Sequence, residues 1–86
     1  MFISQSPVII HEMATACRAR AWERMGQAAH KLKGSALNIG AKKLAGICRE
    51  IEIRGRSNDG SDCDRMIESL KEVYEKTTEE LNMMIS

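Results

Sequence analysis

His30 is the residue in this chain best suited to nucleophilic chemistry. It sits in the run Ala29-His30-Lys31-Leu32-Lys33-Gly34-Ser35-Ala36. Met25, Ala29, Leu32 and Ala36 recur at alternating intervals of four and three, the apolar seam of a bundle helix. At about 100° per residue, His30 lies roughly 135° from the middle of that stripe, so its ring points toward water or a helix margin. Lys33 and Leu37 fall on the same side, one and two turns along. Gly34 lies there too, and a mid-helix glycine costs about 1 kcal/mol relative to alanine. That cost beside an exposed imidazole points to something that must approach the backbone closely.

A carboxylate can be placed against the same ring. Glu52 lies beside the apolar stripe of the following helix, roughly 90° from its centre. If the two helices are antiparallel neighbours that reverse near Gly40, His30 is ten residues before the turn and Glu52 twelve after it. With a rise of about 1.5 Å per residue, the two stand at similar height. Glu52 could then accept a hydrogen bond from one imidazole nitrogen, fixing the tautomer and leaving the other nitrogen as a nucleophile. Lys33 supplies positive charge for a phosphoryl group. The sequence offers no second nucleophile, paired carboxylates, phosphate-cradling glycine loop or metal-ligand set. These residues suit a phosphoryl carrier that neither makes nor spends the phosphate.

Four helices must position these groups. Helical periodicity predicts elements over about 7–18, 20–38, 41–54 and 62–84, with no strand. Ser6-Pro7 reads as an N-cap followed by proline at the first helical position. Ile9 or Ile10, Met13 and Cys17 face inward from the first helix. Trp22, Met25, Ala29, Leu32, Ala36 and Ile39 do so from the second, which stops where Gly40 takes the left-handed position. Leu44, Ile47, Cys48 and Ile51 line the third. Ser57-Asn58-Asp59-Gly60 is a polar turn. Cys63, Met66 or Ile67, Leu70, Val73, Thr77, Leu81 and Met84 line the last. Short connections make this an all-α, antiparallel up-and-down four-helix bundle, read as a single domain over 1–86. Phe2 and Ile3 read as the end of an earlier apolar helix.

Composition agrees with that class. The chain has 86 residues, 43% apolar and 29% charged, with 13 basic and 12 acidic side chains. This is the balance of a globular chain rather than a disordered one. From Arg18 to Arg56 there are ten basic and three acidic residues, net +7; from Ser57 onward there are three and eight, net −5. The basic middle suits either an anionic partner or complementary flanks on facing helices. No apolar run is long enough to span a bilayer, and MFISQSPVII does not read as a secretion signal. Cys17, Cys48 and Cys63 are odd in number and widely spaced, fitting neither a disulfide framework nor a metal site of close pairs. They suit a reducing cytosol. His11 reads as a surface residue, Trp22 as a core anchor, Lys42 and Lys43 as a basic flank, and Met83-Met84 as helix-end packing.

The run around His30, continued by Ile39-Gly40-Ala41, Leu44, Cys48 and Ile51-Glu52 and preceded by Arg20-Ala21-Trp22-Glu23, resembles the signature of histidine-containing phosphotransfer (HPt) domains. The resemblance is dense over about 35 residues, and the remaining helices agree in pattern. It implies that His30 is phosphorylated on Nε2, that Lys33 screens the phosphoryl charge and that Glu52 orients the imidazole. Gly34 would let a receiver domain dock, with Gln27, Lys31 and Leu37 as docking surface. The family's extra N-terminal helix is mostly absent from this reading. The implied activity is that of a phosphoryl carrier, not a kinase, in a two-component phosphorelay. The implied partners are response-regulator receiver domains and a hybrid sensor histidine kinase. No cofactor is implied on this chain, with Mg²⁺ on the receiver. The expectation is a cytoplasmic monomer with neither nucleic acid nor membrane as partner. The competing reading is a non-catalytic helical module that binds a receiver or another anionic partner without phosphotransfer.

Overall fold

The computed structural model describes the backbone of residues 2–85 and the side chains of residues 6–80 and 83. Four helices follow one another: α1 (Phe2–Arg18), α2 (Trp22–Asn38), α3 (Lys42–Arg56) and α4 (Cys63–Ile85). There is no strand among the described residues. The core is aliphatic and sulfur-rich. Met13, Met25, Leu32, Leu44, Cys48, Ile51 and Leu70 are fully buried, with Ala29 and Ala36 small enough to let α2 sit close to its neighbours. Trp22 is half-buried and packs on this core, its ring seated against Gly60, where any side chain would collide with it.

The connections are short because three helix ends close in the same way. After α2, the N–H of Gly40 donates to Leu37 O (3.2 Å) and that of Ala41 to Ala36 O (2.8 Å). This is the Schellman pattern, with a left-handed residue just past the helix. The ends of α1 and α3 repeat it through Arg20 and Asn58. Only Gly40, at φ 77°, is a glycine; Arg20 (57°) and Asn58 (54°) adopt the left-handed region with side chains. Arg20 is therefore the corner residue, and α2 begins two residues later than the periodicity predicts. Neither α2 nor α3 has a side-chain N-cap.

Several expectations are corrected. Ser6 is not an N-cap, because α1 already runs from Phe2, and Phe2 and Ile3 belong to α1 rather than to a separate helix. Pro7 sits inside α1 on its exposed side, close enough to the N-terminus that it removes one hydrogen bond without ending the helix. Ser6 is buried, and its hydroxyl hydrogen-bonds Tyr74 of α4, a tertiary partner that outweighs the local capping signature. Ile39 lies past the last turn of α2 and is exposed rather than in the core. Met83 is 79% exposed, so it is not packed at the helix end. The side chains of Leu81 and Met84 lie outside the described residues.

The cysteines are the largest departure. Cys17 and Cys63 are joined in a disulfide between the last turn of α1 and the first residue of α4, with Cα atoms 6.3 Å apart. Spacing in sequence hides this pairing, because 46 residues separate two positions that the up-and-down topology returns to the same end of the bundle. Cys48 alone is free, buried in the core.

Candidate functional site

Two glycines bring the helices of the site together. An added Cβ at Gly55 would lie 2.7 Å from the Trp22 carbonyl oxygen and 2.8 Å from the Gly26 Cα, so α2 and α3 touch backbone to backbone there. Neither glycine stands out in sequence, where a glycine inside a helix reads only as a penalty. Gly34 differs: nothing lies within 4 Å of the space its side chain would fill. Its missing side chain leaves the outer surface of α2 open rather than serving internal packing.

One turn from the glycine crossing, Glu52 is the hub of the site. The residue is 5% exposed, yet three cation-capable groups reach its carboxylate. His30 Nδ1 is 2.9 Å from Oε2, Lys33 Nζ donates to Oε1 at 2.7 Å, and Arg56 Nη2 donates to Oε2 at 2.8 Å. The Lys33 hydrogen bond, with the His30 contact adding to it, holds the Glu52 carboxyl below the usual carboxylate range, against the opposing effect of burial. An ionised carboxylate only accepts hydrogen bonds, so Nδ1 is the donor of this pair and carries the ring proton. The acceptor lone pair then falls on Nε2. The His30 side chain is 63% exposed, so the ring is anchored on one edge and wet on the other.

The remaining predicted site residues separate into two groups. Gln27, Lys31 and His30 line an open groove with Glu23, Arg56 and Asn58, floored by Gly26, Glu52 and Gly55. Gly34 and Leu37 are exposed farther along α2, outside that groove, and the Leu37 side chain presents an apolar surface to water. Lys33 is turned inward to Glu52 and only 25% exposed, so it stands beside the imidazole as part of the carboxylate's shell rather than as a free surface cation. Arg56 is a member of the site that residue chemistry in the sequence does not point to. Its spacing of four from Glu52 on one helix is the signal that could have found it.

A buried carboxylate that fixes one imidazole nitrogen and leaves the other in water is an arrangement for accepting and releasing a small electrophilic group. The family model of the Hpt domain matches residues 1–83 of the chain. The chain belongs to the Hpt domain family. No curated protein and no solved structure matches it. Hpt domains are the phosphotransfer modules of phosphorelays; they carry phosphoryl groups and are not kinases, and their partners are response-regulator receiver domains. No helix among the described residues is long and apolar enough to cross a membrane.

Proposed function

We propose that this Hpt domain carries a phosphoryl group on His30 Nε2 between the aspartates of two receiver domains. The observation that carries the reading is the 2.9 Å contact between His30 Nδ1 and Glu52, on a ring that is otherwise mostly in water. In the forward step the Nε2 lone pair attacks the phosphorus of a receiver aspartyl-phosphate in line with the leaving oxygen. The N–P bond forms, the acyl-phosphate O–P bond breaks, and the aspartate leaves as a carboxylate. The ring keeps its Nδ1 proton, and Glu52 stabilises the positive charge that develops on the imidazole. The second transfer is the reverse, with the next receiver's aspartate as nucleophile.

Lys33 supplies the charge that offsets the phosphoryl oxygens, and Arg56 keeps Glu52 compensated from its other side. Gly34 and Leu37, with Gln27 and Lys31, form the surface on which a receiver docks. Mg²⁺ belongs to the receiver, and this chain contributes only protein groups. The setting we assign is the cytoplasm, as a monomer, with a hybrid sensor histidine kinase as the phosphoryl source.

The test is incubation with phosphorylated receivers followed by mapping of acid-labile, base-stable phosphate. The wild-type chain should be labelled at His30 alone, and His30→Gln should take none. Label on the His30→Gln variant would overturn the assignment. Lys33→Ala should slow transfer about tenfold, the loss of one charge-assisted contact, while circular dichroism stays helical.

A further inference from the structure

The Cys17–Cys63 bond has no part in that chemistry, yet it encloses the residues that do. The chain between its two ends contains the whole of α2 and α3, and with them His30, Lys33, Glu52 and Arg56. A cross-link over so long a loop removes conformational entropy from the unfolded chain and favours the folded state strongly for a domain this small. The neighbourhood of the two sulfurs is unequal. Cys63 is the first residue of α4, where the helix dipole favours a thiolate. Cys17 Sγ lies 3.5 Å from Asp64 Oδ1, a carboxylate that can accept a hydrogen bond from the thiol and repels a second negative charge. A disulfide with one good leaving sulfur exchanges more readily than a symmetric one. Both sulfurs are buried, Cys17 at 5% and Cys63 at 4% exposure, so exchange proceeds through local opening of the end of α1, which the backbone hydrogen bonds of Ala19, Arg20 and Ala21 hold to the helix.

We infer that Cys17 and Cys63 form a reversible thiol–disulfide pair that sets how firmly the phosphoacceptor hairpin is folded. The consequence for phosphotransfer rests on the relay reading above; the redox chemistry does not. In oxidation, the Cys63 thiolate attacks a low-molecular-weight disulfide such as oxidised glutathione. It forms a mixed disulfide and releases one glutathione thiolate. Cys17 then loses its proton to water and, as the thiolate, displaces from Cys63 the second glutathione thiolate, which takes up a proton in turn. One small disulfide is reduced to two thiols as two protein thiols become one disulfide. Cys48 does not compete: it lies in the middle of α3 with no exposed surface, away from any helix end that could open, and burial pushes its thiol up to about 12.

The experiment is a titration of the purified chain in buffers of varied reduced-to-oxidised glutathione ratio. The disulfide is scored by alkylation and intact mass, and thermal unfolding is recorded at each end. The pair should convert from dithiol to disulfide within the range of those buffers. The oxidised form should melt about 15 °C or more above the reduced form. The Cys17→Ser/Cys63→Ser double variant should melt with the reduced form and ignore the buffer. A bond that never forms, one that survives excess reduced glutathione, or equal melting temperatures would each overturn the inference. Labelling by a phosphorylated receiver is then compared in the two redox states near the reduced form's melting temperature. At least fivefold less label in the reduced state supports the coupling, and equal label refutes it. Absence of label in both states at low temperature counts against the relay reading and leaves the titration to decide the redox pair.

Discussion

Where α2 crosses α3 the two backbones meet through Gly26 and Gly55, with no side chain between them. Where α1 meets α4 the contact is made by side chains, with the Cys17–Cys63 bond at one end, the Ser6–Tyr74 hydrogen bond toward the other and Ile10, Met13, Ile67 and Leu70 buried in the core around them. The first pair has to hold an imidazole and a carboxylate at hydrogen-bonding distance, and rigid backbone contact serves that need. The second pair backs the hairpin and meets it through adaptable side chains and one covalent bond. The difference teaches that the hairpin's geometry is fixed from within, while its persistence depends on the helices behind it.

The sharpest way to break the comparison is at the crossing. Gly55→Ala forces a methyl against the Trp22 carbonyl and the Gly26 backbone, so α2 and α3 must part. Denaturant unfolding should show a loss of about 2–3 kcal/mol. Its counterpart Gly34→Ala meets nothing, and should gain about 0.5–1 kcal/mol by removing the glycine penalty. If both alanines cost the same, the crossing is not what sets the hairpin.

Glu52 gives the next largest effect. Replacing it with Gln keeps the shape but removes the charge that three groups share, at a cost of about 1–2 kcal/mol at neutral pH. The sign of the pH dependence follows from its depressed folded-state value. Glu52 contributes stability in full above the unfolded carboxyl value of about 4.3, and loses it as pH falls from there through the lower folded value. Melting curves of the wild type should therefore fall more steeply than those of Glu52→Gln on the acid side of pH 4. Parallel curves would mean that the carboxylate is not compensated in the folded state.

Arg56→Gln should be the mildest of the set. Its guanidinium is 75% exposed and meets Glu52 within one helix, a contact worth no more than about 0.5 kcal/mol and weakened by added salt. A loss well above that, measured at low and high salt, would make Arg56 a structural member of the hairpin.

Much of the hairpin is legible from spacing. Counting residues on either side of Gly40 levels His30 with Glu52, and helical periodicity finds Met25, Ala29, Leu32, Leu44 and Ile51, which the structure buries. Gly26 and Gly55 are not legible in this way, because the reason for a glycine lies on the opposite helix. Arg56 is visible in principle, as a cation four residues from a carboxylate, but nothing in the sequence shows that the carboxylate is buried. The α1–α4 side is harder still. Ser6-Pro7 carries a local start signal that a tertiary hydrogen bond overrides. Cys17 and Cys63 meet only because four helices turn at fixed places.

Those fixed places have a consequence for the distance between imidazole and carboxylate. The corner at Gly40 reverses the chain with three backbone hydrogen bonds, from Gly40, Ala41 and Lys42, so it acts as a caliper for groups ten and twelve residues away. One residue inserted there would swing α3 by about 100° about its axis and carry Glu52 off the ring, leaving every side chain of the site present and none in working alignment.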